Sequence, residues 1–313
     1  MRSRPLGKTG LVVSELALGT WGLSGEPYGT VEPKEAENVV ARALEMGFSL
    51  FDTSDAYGAG KMEALLGRIL HQKNVTVVTK GGTDRTTTPP RKRFDGEYLR
   101  GAVTRSLKRL KRDAIDLYLL QNPTPDALIG GEATDTMAAL KTEGLVKHWG
   151  VSAGDPEVAR AAIQVEAEVV QLAYNLFQAI DLHRLAGDVM VAGTGILAHS
   201  TLAYGLLAGM WTKDREFAEG DHRTQRWSRL ELARRIGQLD AVRYLVRGDV
   251  LTMRGAAVRF VLANHLVTAA VLGPRTVAQL EQLVRETGSG PTYIPDDQLS
   301  GLSAALTRVG IAT

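Results

Sequence analysis

Eight short apolar runs, each followed by a stretch of helical periodicity, constrain this chain more than any other feature of its sequence. The runs end near Gly19, Asp52, Lys80, Gln121, Ala153, Asn175, Ser200 and Gly273. Helical patterns occupy 33–46, 62–71, 97–111, 135–143, 156–164 and 181–189, then 253–264, and begin again at 276. Strand and helix in alternation imply a parallel sheet with right-handed crossovers. Eight such units in roughly 250 residues fit a closed (β/α)8 barrel better than an open sheet. Residues 5–14, with Gly7 and Gly10, predict a short N-terminal β-hairpin. The stretch 81–95 reads as a long loop, and the polar, charged stretch 209–250 as a long insertion after strand 7. No linker of distinct composition divides the chain, so 1–313 reads as one domain.

Composition narrows the function classes. An apolar share of 44% against 23% charged residues is enough for a large buried core. A formal charge of +2 gives no warrant for binding nucleic acid or an anionic membrane. The basic clusters at 105–112 and 223–247 have helical spacing and read as solvated faces. With no cysteine there is neither a disulfide framework nor a thiol nucleophile, which fits a reducing compartment. The basic start is not followed by an apolar region, because Ser14 and Glu15 interrupt it. No run approaches the ~20 apolar residues that span a bilayer. The expectation is a soluble, cytoplasmic protein.

The chemistry enters at 49–58, SLFDTSDAYG. In a closed parallel barrel all strand C-termini meet at one face, so Asp52, Lys80 and Gln121 should converge there, with Tyr57 one turn beyond Asp52. Alone, Asp52 and Tyr57 are ordinary turn chemistry. Together with a strand-end lysine they are specific. A tyrosine with a free pKa near ~10 is a poor acid unless a neighbour stabilises its phenolate. Lys80 would supply that charge, and a buried lysine needs a carboxylate, which Asp52 provides. The product is a proton donor aimed at a substrate oxygen. Two other signals fail. The segment 58–63, GAGKME, lacks both the third glycine of a dinucleotide fingerprint and the hydroxyl a magnesium-binding loop needs. The six histidines have no metal-ligand spacing, so no metal is expected.

The motifs GKTG, LALGTW, FDTSDAYG, VVTK, DLYLLQNP, GVS, YN, GLLAG and LGPRT occur in that order along nearly the whole chain. In order and spacing they resemble those of the aldo-keto reductases. The resemblance implies a TIM barrel that moves hydride from NAD(P)H to a carbonyl substrate. It makes Tyr57 the general acid, Lys80 the group that lowers its pKa, and Asp52 the partner of Lys80. The matching cofactor positions are Gly19, Thr20, Trp21, Asp52, Ser152, Gln171, His199, Ser200, Leu202, Gly205, Gly273, Arg275 and Gln279. Ser152 and Gln171 would hold the carboxamide; Arg275 and Gln279 would meet the adenosine end. A guanidinium there suits a 2′-phosphate and favours NADPH, with NADH possible.

Three departures from the family pattern stand out. Gln121 occupies the usual histidine's place; its amide can orient a carbonyl but cannot relay a proton. Ala153 replaces an asparagine and removes a carboxamide contact worth ~1 kcal/mol. His199 stands where a tyrosine usually stacks on the nicotinamide, and as a histidine it could titrate near neutrality. Gln121 also keeps open an alternative, an NADPH-binding redox-sensing or regulatory module with vestigial turnover. Trp21 should line the pocket. Trp211, Trp227 and Tyr244 are candidates to cover it, with helix packing as the competing reading.

Overall fold

The apolar runs are continuous because each strand is buried on both faces, by helices outside and by the other strands within. The computed structural model describes residues 1–313. Its barrel strands are β1 (Leu16–Gly19), β2 (Leu50–Asp52), β3 (Thr76–Gly81), β4 (Ile115–Gln121), β5 (Val146–Ser152), β6 (Val169–Ala173), β7 (Gly195–His199) and β8 (Val267–Leu272). Each pairs in parallel with its neighbours in sequence, and β8 closes on β1. The outer helices are α1 (Pro33–Glu45), α2 (Lys61–Leu70), α3 (Gly96–Leu110), α4 (Glu132–Thr142), α5 (Pro156–Gln164), α6 (Ile180–Ala192), α7 (Met253–Ala263) and α8 (Val277–Thr287). Side chains cap several of them where the sequence supplies Asp or Thr: Asp95 before α3, Asp155 before α5, Thr252 before α7 and Thr276 before α8.

Strand alternation decides which side chains enter the barrel. Ala17, Leu50, Val78, Leu119, Val169 and Leu197 form an apolar layer inside it. Two residues further along the same strands, on the same face, stand Gly19, Asp52, Lys80, Gln121, Gln171 and His199. On β5 the corresponding pair is Gly150 and Ser152. Gly150 has no room for a side chain, since a Cβ would lie 2.1 Å from the Val169 carbonyl oxygen. The polar residues are therefore the top interior layer of the barrel, resting on a dry one.

Two regions depart from the pattern read in the sequence. The stretch 81–95 contains a small antiparallel hairpin, Thr83–Asp84 with Arg91–Lys92, rather than loop alone. Beyond α8 the chain continues through helices Asp296–Ser300 and Leu302–Arg308. The N-terminal hairpin, Ser3–Pro5 with Val12–Ser14, puts Leu6 and Val13 into the interior cluster from below. The insertion after β7 holds helices Arg223–Arg226 and Arg229–Gln238. No helix is long and apolar enough to cross a membrane.

Candidate active site

The site begins with a lysine that has nowhere to go but inward. Lys80 is 1% exposed, and its ammonium donates to Asp52 Oδ1 and Oδ2, both at 2.7 Å, and to the Thr53 carbonyl at 2.8 Å. Three protein oxygens thus fix the position of the ammonium. Burial works against the charge, but Asp52 and Tyr57 outweigh it and hold the ammonium pKa above its usual value. Asp52 is shared further, because Gln171 Nε2 donates to its Oδ2 at 2.7 Å. Three strands, β2, β3 and β6, are thus joined through one carboxylate, while the backbone of β1 pairs with Asp52 by register at Gly19.

Tyr57 stands over this pair, with Lys80 Nζ 5.2 Å from its ring centroid. Here the environment corrects the expectation of a lowered pKa. Burial raises the phenol above its ordinary value, and Lys80 offsets that only in part. The group is therefore a neutral phenol at neutral pH. Gln121 closes the constellation. Ser54 Oγ donates to its Oε1 at 3.0 Å, which turns the amide N–H groups toward the cavity. Lys92 Nζ donates to the Gln121 backbone carbonyl at 2.8 Å.

These groups open into a cavity of about 840 Å³ at the C-terminal face. Gly19, Trp21, Asp52, Tyr57, Gln121, Ser152, Gln171 and His199 line its floor and inner wall. Ser200, Leu202 and Gly205 line it from the loop after β7, and Gly273, Arg275 and Gln279 from the loop after β8. Two predicted residues do not line it. Lys80 lies beneath the lining, and the Thr20 hydroxyl turns away to the Asp52 carbonyl (3.1 Å) and Thr53 Oγ1 (2.9 Å), tying β1 to β2. The side chain of Thr20 therefore acts as a strand tie. His199 also departs from expectation. Burial, aided by Lys80, pulls its pKa down to about 4, so it is a neutral ring at physiological pH, with Nδ1 2.9 Å from Ser200 Oγ.

The far end of the cavity is basic. Arg275 Nη2 donates to the carbonyls of Gly29 and Thr30, while its Nε is buried with no partner. The Arg275 backbone N–H donates to Gln279 Oε1 at 2.8 Å. The loop after β7 holds left-handed backbone at Ser200 (φ 55°), Ala203 (φ 44°), Tyr204 (φ 61°) and Gly205 (φ 99°). At Gly205 a side chain would also crowd Trp211. Sequence reasoning missed Tyr28, Tyr204, Arg223 and Arg226, which line the outer cavity. Arg226 stacks 3.5 Å over the Tyr204 ring, and Trp21 packs edge-on to Tyr28 and Tyr204. Trp211 and Trp227 stand behind this layer, against each other. Tyr244 is elsewhere, with its hydroxyl on the Gln298 carbonyl.

A family model described as the aldo/keto reductase family matches residues 15–288. The chain belongs to the aldo/keto reductase family. It is 28% identical over 300 residues to the aldo-keto reductase YhdN of Bacillus subtilis (strain 168), covering 92% of this chain and 89% of that one. Its fold is similar to that of aldo-keto reductase AKR11C1 from Bacillus halodurans in its holo form, with a TM-score of 0.81 at 23% identity over 97% of this chain and 96% of that one. It is also similar to glycerol dehydrogenase AKR11B4 from Gluconobacter oxydans, with a TM-score of 0.85 at 24% identity over 98% and 96%. This aldo/keto reductase is an NAD(P)H-dependent oxidoreductase acting on carbonyls.

Proposed function

We propose that the enzyme reduces an aldehyde or activated ketone to the alcohol with NADPH, Tyr57 being the proton donor. The bound cofactor supplies the hydride. The part of this chain's own residues is the proton, which the Tyr57 hydroxyl would give to the carbonyl oxygen as negative charge develops there. Lys80, held by Asp52 and Thr53, stabilises the phenolate left behind. Gln121 offers an amide N–H to the same oxygen and orients it. The single observation carrying this reading is the anchored Lys80 beneath a neutral phenol, beside an amide whose direction Ser54 sets.

The residues available fit the cofactor. Ser152 and the free Oε1 of Gln171 face the cavity where a carboxamide would need a donor and an acceptor. The buried, unpartnered Nε of Arg275 suits a phosphate oxygen, which favours NADPH over NADH. The Gluconobacter neighbour is a glycerol dehydrogenase, but at 24% identity that substrate does not transfer to this chain. Gln121 in place of an imidazole is the feature that would suit a cofactor-binding sensor instead.

The test is NADPH oxidation with an activated aromatic aldehyde, comparing the native chain with Tyr57→Phe. Loss of the general acid lowers turnover by ~100-fold or more while NADPH binding is kept. Tight NADPH binding by a native chain without turnover would replace this reading with the sensor.

A further inference from the structure

The turn that carries Tyr57 is not self-supporting. Gly58 (φ 60°), Ala59 (φ 52°) and Gly60 (φ 87°), the three residues after the tyrosine, are all left-handed. Such backbone persists only where its surroundings over-determine it. The internal bonds of the turn are all longer than 3.0 Å: Tyr57 N–H to the Ser54 carbonyl and Lys61 N–H to the Gly58 carbonyl at 3.1 Å, Ala56 N–H to Ser54 Oγ at 3.2 Å, Ala59 N–H to the Ala56 carbonyl at 3.3 Å, and Met62 N–H to the Tyr57 carbonyl at 3.4 Å. Beyond the Asp55 N–H on the Lys80 carbonyl at 3.1 Å, support comes from two loops distant in sequence. Arg85, just after Thr83–Asp84, donates Nη1 to the Ala56 carbonyl. The same guanidinium grips Glu26, from the loop after β1, in a fork, Nη2 to Oε1 at 3.0 Å and Nη1 to Oε2 at 3.2 Å. Glu26 Oε2 in turn accepts the Gly58 N–H at 3.2 Å.

One ion pair therefore holds the carbonyl before Tyr57 and the N–H after it. We propose that Glu26 and Arg85 form a clamp that positions the Tyr57 hydroxyl for proton transfer, a role that rests on Tyr57 being the acid. Neither residue lines the cavity; both act through the peptides flanking the tyrosine. The side chains are 39% and 40% exposed, so their attraction is screened and adds little to global stability. Its value is geometric. A shift near ~1 Å in a reacting group costs up to ~100-fold in rate.

The pair also explains its own polarity. A guanidinium suits the Ala56 carbonyl and a carboxylate suits the Gly58 N–H, so the two residues cannot exchange places. An ion pair that merely joined the two loops would work in either order.

The experiment measures kcat, KM, NADPH affinity and Tm for Glu26→Ala, Arg85→Ala and the swapped double variant Glu26→Arg with Arg85→Glu. Arg100→Ala is the control, since it removes another surface pair of 46% and 43% exposure, at 2.8 Å from Glu143 and remote from the turn. Each alanine variant at the clamp should lower kcat by ~10-fold. NADPH affinity should stay within ~2-fold of native, and Tm should fall by no more than ~2 °C. The swapped variant should stay slow, and the control should match the native chain. Raising the salt to ~1 M, where screening acts over ~3 Å, should slow the native chain and leave the alanine variants as they were. Native kcat in both alanine variants would overturn the clamp, as would recovery in the swapped variant or a kcat loss that follows Tm or NADPH affinity. A native chain that reduces no carbonyl would instead overturn the assignment of Tyr57, and the clamp with it.

Discussion

Asp55 is a carboxyl two residues from Tyr57 that has no part in the proposed reaction. Burial, then the charge of Glu63, raises its pKa to about 7, against opposition from Arg109, Arg105 and Ser54. A carboxyl with a raised folded pKa binds more protons folded than unfolded, so stability falls as pH rises through that window. The loss begins near the unfolded value of ~4 and is complete above ~7. Asp55→Asn removes the penalty. It should melt at the native temperature near pH 4 and be more stable by ~1–2 kcal/mol at pH 8, a figure kept below the full shift because the residue is half-buried. Thermal melts across that range test the sign; a variant less stable at pH 8 would refute it. At this scale the sequence was most readable where a residue type looked misplaced. Lys80 and Asp52 at the ends of apolar runs belong in no dry core, and that mismatch exposed them. Glu26, Arg85 and Ser54 gave no such signal. They sit in polar loops where their types are ordinary, and they act on peptide groups or on another side chain's rotamer.

Among the elements, β2 has the most to hold with the least chain. It is three residues long, Leu50–Asp52, and pairs Asp52 with Gly19 on one side and Val78 on the other. The Thr20 N–H and hydroxyl both donate to the Asp52 carbonyl, and its carboxylate receives Lys80 and Gln171. Removing that charge leaves Lys80 as an unpaired buried cation. Asp52→Asn should therefore cost ~3–5 kcal/mol, far more than the loss of one hydrogen bond. The double variant Asp52→Leu with Lys80→Met should recover much of that loss, since an apolar pair replaces a buried ion pair at little cost, yet it should not turn over. Urea unfolding of native, single and double variants decides it; a double variant as unstable as the single one would contradict the argument. The strands themselves were legible because two-sided burial makes them apolar throughout, and their ends fell within a residue or two of those read. The hairpin at 83–92 was not, because its two-residue strands are polar and exposed at Arg91 and Lys92 and are followed or preceded by a Thr-Pro loop.

At the scale of the whole molecule, the barrel must be closed at the end away from the cavity, and both closing pieces lie outside the family-matched span of 15–288. The first piece is the N-terminal hairpin. Its turn approaches so closely that a Cβ at Gly7, already left-handed at φ 49°, would lie 2.2 Å from the Gly195 nitrogen. Arg4 donates to the carbonyls of Val267 and Leu262, and Thr268 donates to that of Pro5. The second piece is the C-terminal tail, whose Tyr293 and Ile294 are buried. This anchor was not readable, since isolated apolar residues in a PTYIP stretch have no periodicity to mark what they pack on. The two pieces meet at Glu15, a buried carboxylate that accepts the Tyr293 hydroxyl and lies 3.5 Å from Arg4 Nε. Arg4 also stacks 5.5 Å over the Tyr293 ring. Tyr293→Phe keeps the ring and its stacking but removes the donor, leaving Glu15 under-satisfied where water is scarce. That should cost ~1–3 kcal/mol of unfolding free energy. Because the cavity opens at the opposite end, kcat and KM should be those of the native chain below the melting range. Stability lost without change in turnover would locate Tyr293 in the closure of the barrel; a drop in kcat at full folding would mean that the two ends are coupled.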